Sequence, residues 1–159
     1  MDLLEIMLNR RSVRTYTGEK IEDEKLEMIL KAGLAAPSGR GRRPWEFIVV
    51  RDKDTLACMS ESRKCGAGML TGADCAIVVV ADEEKTDVWT EDCSIAMAYM
   101  HLMADSLGVG SCWGSRSPIV LKPSFLWAFQ RSILRQERWK TCRMERFTRK
   151  NSKGFTRKN

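Results

Sequence analysis

Apolar residues recur at helical spacing in some stretches of this chain and crowd into short continuous runs in others. Residues 2–9 carry Leu3, Leu4, Ile6, Met7 and Leu8, a pattern that predicts a short helix with Asp2 at its positive end. A second helix is predicted from about Glu22 to Ala36, with Leu26, Ile29, Leu30 and Ala32 on one face. Acidic residues crowd its first turn and Pro37 ends it. Residues 52–64 read as another helix, started by Asp52 or Asp54. The longest helix is expected over about 88–107, its face marked by Ile95, Ala98, Tyr99, Leu102, Met103 and Leu107. Ala96, Met97 and Met100 make its other sides apolar too, so it must be buried, centrally or against a partner subunit. Gly108 suits the glycine position that ends it.

The continuous runs are strands. Residues 45–52, WEFIVVRD, read as a buried strand, and CAIVVVAD (75–82) as one in the middle of a sheet. GSCW (110–113) reads as a short strand. Helices and strands mix without a βαβ rhythm, which favours an α+β fold over a doubly wound sheet. With 159 residues, one domain with a real core is expected.

Composition changes this picture at one place. The net charge of +6 divides unevenly: residues 1–114 hold 14 Lys/Arg and 19 Asp/Glu, net −5, while residues 115–159 hold 13 and 2, net +11. The basicity belongs to the tail, and such asymmetry can mark a nucleic-acid arm. No apolar run reaches the length of about 18 residues that a membrane span needs. The start lacks the layout of a signal peptide, so a cytoplasmic address is the default. Cys58, Cys65, Cys75, Cys93, Cys112 and Cys142 show no C-x-x-C spacing and read as reduced thiols in or near the core. With His101 the only histidine, a zinc site has little to work with, and no metal is expected.

Three segments carry candidate chemistry. Arg10, Arg11, Ser12 and Arg14 place three guanidiniums and a hydroxyl within five residues, a donor set that suits a phosphate monoester. A solvated basic loop is the bland reading. Residues 37–45, PSGRGRRPW, bring Pro37, Ser38, Gly39 and Arg40, with glycines that let backbone approach a bound group. An ordinary helix-to-strand turn is the alternative there. The third is GVGSCWGS (108–115), otherwise a helix cap and a buried strand.

Taken in order, RRSVRTY near residue 10, APSGRGRRPWEF near 36, a β run ending VVVAD near 80 and a helix closing with LGVGSCWG resemble the nitroreductase family. These are FMN enzymes that use NADH or NADPH to reduce nitro compounds, quinones and related acceptors. The likeness covers about residues 3–114. It implies an α+β, three-layer fold, an antiparallel-rich sheet flanked by helices, in an intimate homodimer with FMN at the interface. It implies that Arg10, Ser12 and Arg14, with Arg11 in the same stretch, hold the FMN phosphate, ribityl chain or pyrimidine edge. Pro37, Ser38, Gly39 and Arg40 would come from the other subunit. Cys112, Trp113 and Gly114 would line the ring, and the 88–107 helix would form the dimer. No catalytic acid or base is implied, since the chemistry resides on the flavin N5; Tyr16 and Tyr99 read as packing residues. Gly41 and Arg43 depart from the Asn and Gln common in relatives, and the added charge would favour anionic acceptors or the anionic reduced flavin. The expected partners are a second copy of the chain and a small-molecule acceptor, with no membrane.

From about Ser115 the likeness ends, which divides the chain into a flavin-binding domain over 1–114 and an atypical basic tail over 115–159, part of the same domain or partly disordered. Back-translating residues 138–154 and reading one base upstream permits MEDLPYGKVHKEEFKR, a string that resembles the close of a nitroreductase. Trp139–Lys140 can yield only Glu in that frame, and Met144–Glu145 only Gly. The tail thus reads as an out-of-frame product, with a genuinely divergent tail and a nucleic-acid-binding arm as alternatives. Trp127 and Trp139 would stack on bases in the last case. An altered tail would leave a flavin-binding protein with impaired turnover.

Overall fold

The computed structural model describes residues 2–61, 68–113, 119–120, 144–150 and 154–158. Gly114, Cys65, Cys142, Trp127 and Trp139, all singled out above, lie outside them, as does residue 62–64 of the expected third helix.

Helix α1 (Leu3–Asn9) is short enough to need its ends held. A capping box does this at the start: the Glu5 N–H donates to Asp2 Oδ1 at 2.8 Å and the Asp2 N–H to Glu5 Oε2 at 3.3 Å. Only Ile6 of α1 is buried, while Leu3, Leu4, Met7 and Leu8 are all more than half exposed. Helix α2 (Asp23–Ala35) buries Leu26, Ile29, Leu30 and Leu34. It stops where Pro37 forces Ala36 out of the helical region, to ψ 146°. Helix α3 (Lys53–Glu61) is started by Asp52, whose Oδ2 accepts the Thr55 N–H at 2.8 Å and its hydroxyl at 2.5 Å.

Strands β1 (Trp45–Val50) and β2 (Ala76–Ala81) pair antiparallel, Phe47 opposite Val79. Strand β3 (Ile119–Val120) runs parallel to β2, and β4 (Met144–Lys150) and β5 (Gly154–Lys158) extend the other side, in the order β3-β2-β1-β4-β5. So β2 lies inside the sheet, as its unbroken apolar run requires. Alternation along the strands gives the sheet two buried faces. Trp45, Phe47, Val49, Val79 and Ala81 meet α2 and helix α4 (Trp89–Ser106), while Ile48, Val50, Val78 and Val80 meet Leu56 of α3. The result is helices, sheet and helix in three layers, an α+β arrangement.

One expectation is corrected. GSCW is not a strand: residues 110–113 have no regular structure, and among the described residues the one backbone bond across to a neighbouring segment is Val13 N–H to Ser111 O at 3.0 Å. In α4 the buried stripe is Asp92, Cys93, Ala96, Met100 and Ala104. Ile95 and Tyr99, on the face marked by the sequence, point to solvent in the single chain. The tail, poorly periodic as sequence, contributes β4 and β5 to the same sheet.

Candidate functional site

The first and third motifs meet at the C-terminal half of α4. Arg10 closes α1, and the chain then runs extended past Ser12 and Arg14, both exposed. Val13 docks on residues 110–111 through the bond to Ser111 O and through its side chain. A Cβ on Gly110 would stand 3.0 Å from Val13 Cγ1, so the close approach is built on a glycine. His101, half-buried on α4, reaches Ser111 Oγ with Nδ1 at 2.7 Å and stacks on Trp113, ring centroids 6.4 Å apart and 17° from parallel. Burial holds the His101 pKa below its ordinary value and the nearby Arg10 charge adds to this. Burial likewise raises the Tyr16 phenol, with the Cys112 thiol next among the causes. Arg10, Val13, Tyr16, His101, Ser111, Cys112 and Trp113 thus form one neighbourhood.

Arg10 and Arg14 make no ion pair or side-chain hydrogen bond within it, among the described residues. Arg11 is engaged differently: its Nη1 donates to Leu8 O at 2.8 Å and Arg10 O at 3.0 Å, satisfying carbonyls at the end of α1.

The second motif is held at the opposite end of α4. Residues Gly39–Gly41 form a 3-10 turn after Ser38. The Gly41 N–H donates to Ser38 O at 3.0 Å, the Arg42 N–H to Gly39 O at 3.1 Å and the Arg43 N–H to Ser38 Oγ at 2.9 Å. The Ser38 hydroxyl accepts here, which leaves its own proton to donate outward. Arg40 at φ 53° and Arg43 at φ 45° both occupy the left-handed region, where a side chain is strained. Arg42 fixes the turn from outside, donating to Lys85 O at 2.6 Å. The Arg40 and Arg43 side chains are exposed. Pro37, also exposed, opens the turn.

Within one chain the two groups are therefore apart. The turn rests on Asp92, the other cluster on His101, nine residues further along α4, or about 14 Å of helix rise.

His101 and Asp92 were not chosen from the sequence as site residues. Asp92 carried a readable signal: it shares the i, i+4 stripe of Ala96, Met100 and Ala104, where a carboxylate needs a reason. His101 carried none, because Ser111 and Trp113 reach it only through the fold. The buried Cys93 is an unreactive thiol, its pKa pushed up to about 12 by burial and then by Asp92. Cys75 is raised to about 11, again mainly by burial, with Asp74 beside it.

The His101 arrangement predicts a pH effect. Its folded pKa lies below the unfolded value of about 6.5. Above that value the imidazole is neutral in both states and costs nothing. As pH falls through it and toward the folded pKa, the unfolded chain takes up the proton first, so stability is lost. His101→Gln is expected to flatten the fall in Tm between pH 8 and pH 5; an unchanged slope would mean that carboxylates carry all of it.

The chain is similar to known proteins of one family. The profile of the nitroreductase family matches residues 7–64. A candidate NADH dehydrogenase/NAD(P)H nitroreductase of Archaeoglobus fulgidus is 45% identical over 116 residues, 70% of this chain and 66% of its own. The FMN-dependent nitroreductase of Clostridium difficile R20291 superposes with TM-score 0.69 at 51% identity, covering 70% of this chain and 65% of that one. A candidate NADH dehydrogenase/NAD(P)H nitroreductase of Parabacteroides distasonis gives TM-score 0.72 at 40% identity, over 83% and 77% of the two chains. The chain spans just under two thirds of the length of the first curated relatives it matches, 66% and 63%.

Proposed function

Because this chain belongs to the nitroreductase family, we propose that it binds FMN between two copies of itself and passes hydride from NADH or NADPH to small acceptors such as nitro compounds or quinones. The observation that carries this reading is the split of the site. Two guanidiniums without a pair among the described residues and a serine-bearing turn, each suited to an anionic cofactor, belong to segments anchored on α4 at His101 and Asp92, about 14 Å of helix rise apart. A second copy would bring the turn of one subunit to the arginines of the other. Exposed Leu3, Leu4, Met7 and Leu8 on α1, with Ile95 and Tyr99 on α4, supply apolar surface for such a contact.

The residues fit FMN in their chemistry. Arg10 and Arg14 present free guanidinium forks, and Ser12 a hydroxyl, for a phosphate or polyol. Trp113 and Cys112, half-exposed beside them, offer an apolar edge and backbone groups to a flat ring. Pro37, Ser38, Gly39 and Arg40 would meet the cofactor from the partner, Ser38 through its spare proton. Gly114 follows in the same stretch. FMN, when bound, supplies the hydride acceptor and donor at N5. The protein's own part is to orient the ring, to withdraw it from water between subunits, and to set its electrostatics with Arg10, Arg14 and Arg40. Arg40 and Arg43, with exposed side chains, would draw acceptors that carry negative charge.

The test is direct. Purified protein is expected to be yellow, to release FMN on denaturation, to sediment as a dimer and to oxidise NAD(P)H when a nitroaromatic or quinone is added. Colourless monomer that takes up no added FMN would sink the proposal. Yellow dimer without NAD(P)H oxidation would instead favour a flavin binder, as expected if the departing tail removes part of the site.

A further inference from the structure

One buried carboxylate is left over from this account. Asp92 stands in the first turn of α4, 3% exposed, on the stripe that the helix turns to the core. Its Oδ1 accepts the Gly39 N–H at 2.8 Å, across 53 residues of sequence. Its Oδ2 is buried with no partner among the described residues. A carboxylate in that position costs the fold free energy unless something repays it. The positive end of α4 offsets part of the cost. An Asn or Ser would accept the same N–H with less to desolvate.

Gly39 is matched to this contact. A Cβ there would come 2.8 Å from Val88 Cγ2 and 3.7 Å from Asp92 Oδ1. The turn can sit this close to the start of α4 because residue 39 has no side chain to meet Val88. From Gly39 the strained backbone continues through Arg40 at φ 53°. Strain of this kind persists only where neighbouring contacts over-determine the conformation, and the Asp92–Gly39 bond is one such contact.

We propose that Asp92 is a positioning residue, which clamps the Ser38–Arg40 turn onto the start of α4 and so presets the turn's geometry for FMN. The inference rests on the flavin reading above. Asp92 touches neither cofactor nor acceptor in this role; it acts through the Gly39 N–H. Losing the clamp lets Arg40 relax from the left-handed region, and the turn must then be reordered each time FMN binds.

The test uses purified holoprotein, diluted so that FMN release is followed by the return of flavin fluorescence, with Tm measured in parallel. Asp92→Ala is expected to release FMN about tenfold faster, the scale of one lost hydrogen bond with its reordering. Asp92→Asn, which keeps an acceptor for the Gly39 N–H, is expected within about threefold of wild type. Gly39→Ala probes the contact with the carboxylate intact: it should speed release as Asp92→Ala does, and Val88→Ala in the same chain should restore slow release. Should Asp92→Ala fail to fold, the Gly39→Ala pair decides alone. A lowered Tm with unchanged release in Asp92→Ala, or Gly39→Ala indistinguishable from wild type, overturns the clamp and leaves the flavin reading standing. Wild-type protein without flavin overturns the flavin reading itself, and this inference with it.

Discussion

Phe47→Ala is expected to destabilise the protein by about 3–5 kcal/mol, the largest effect of any single substitution considered for its fold. Phe47 is fully buried in β1, at the heart of the sheet. Its ring lies between the α2–α4 layer and the strands, only 2.9 Å from where a Cβ on Gly33 would stand, closer than two carbons can pack. Met100 of α4 crowds the same point, at 2.8 Å. Gly33 is therefore small so that α2 can approach Phe47 and Met100. Removing the ring leaves a cavity that backbone from two helices and a sheet cannot close, so transfer and cavity costs add. A domain of this size has a total stability of about 5–15 kcal/mol, so the variant stands near the folding threshold. Urea unfolding followed by tryptophan fluorescence measures it. A midpoint close to wild type would show that the two helices collapse into the space, against the packing described.

The second large effect falls on binding. Arg10→Ala combined with Arg14→Ala is expected to raise the FMN Kd about a hundredfold or more, since each charge-assisted bond contributes about 1.5–3 kcal/mol. Neither side chain pairs with another among the described residues, so the double variant should keep its Tm in the absence of FMN. Arg11→Ala is the contrast. Its guanidinium already serves Leu8 O and Arg10 O, so the change should cost α1 stability and affect FMN less. Fluorescence titration of FMN into the three proteins separates these outcomes. Equal losses from Arg11→Ala and the double variant would show that charge in this stretch acts only in bulk, not through two presented forks. High salt would then weaken all three alike.

The elements were legible because their causes are local. Asp2 and Asp52 cap the helices they precede, Pro37 ends α2, and Gly108 takes φ 71° after α4, each as its residue type requires. The family's motifs were legible for the same reason: guanidiniums and glycines are clustered in sequence before they are clustered in space. The short strand read into GSCW failed because four apolar or small residues do not specify a partner; Val13 supplies one hydrogen bond and no ladder.

What only the tertiary structure decided is which side of each element faces what. The α4 periodicity is apolar on nearly every side, so its own residues cannot choose a buried face. The contacts of Ala96 and Met100 with α2 and the sheet choose it, and leave Ile95 and Tyr99 outside. The same holds for the loops. Arg11 turning back on α1, His101 reaching Ser111, and Asp92 holding Gly39 depend on distances between segments up to 53 residues apart. Residue type and local spacing therefore settled which elements and motifs this chain carries. The packing of α4 settled where those groups stand, because a buried stripe is a property of the neighbours that cover it.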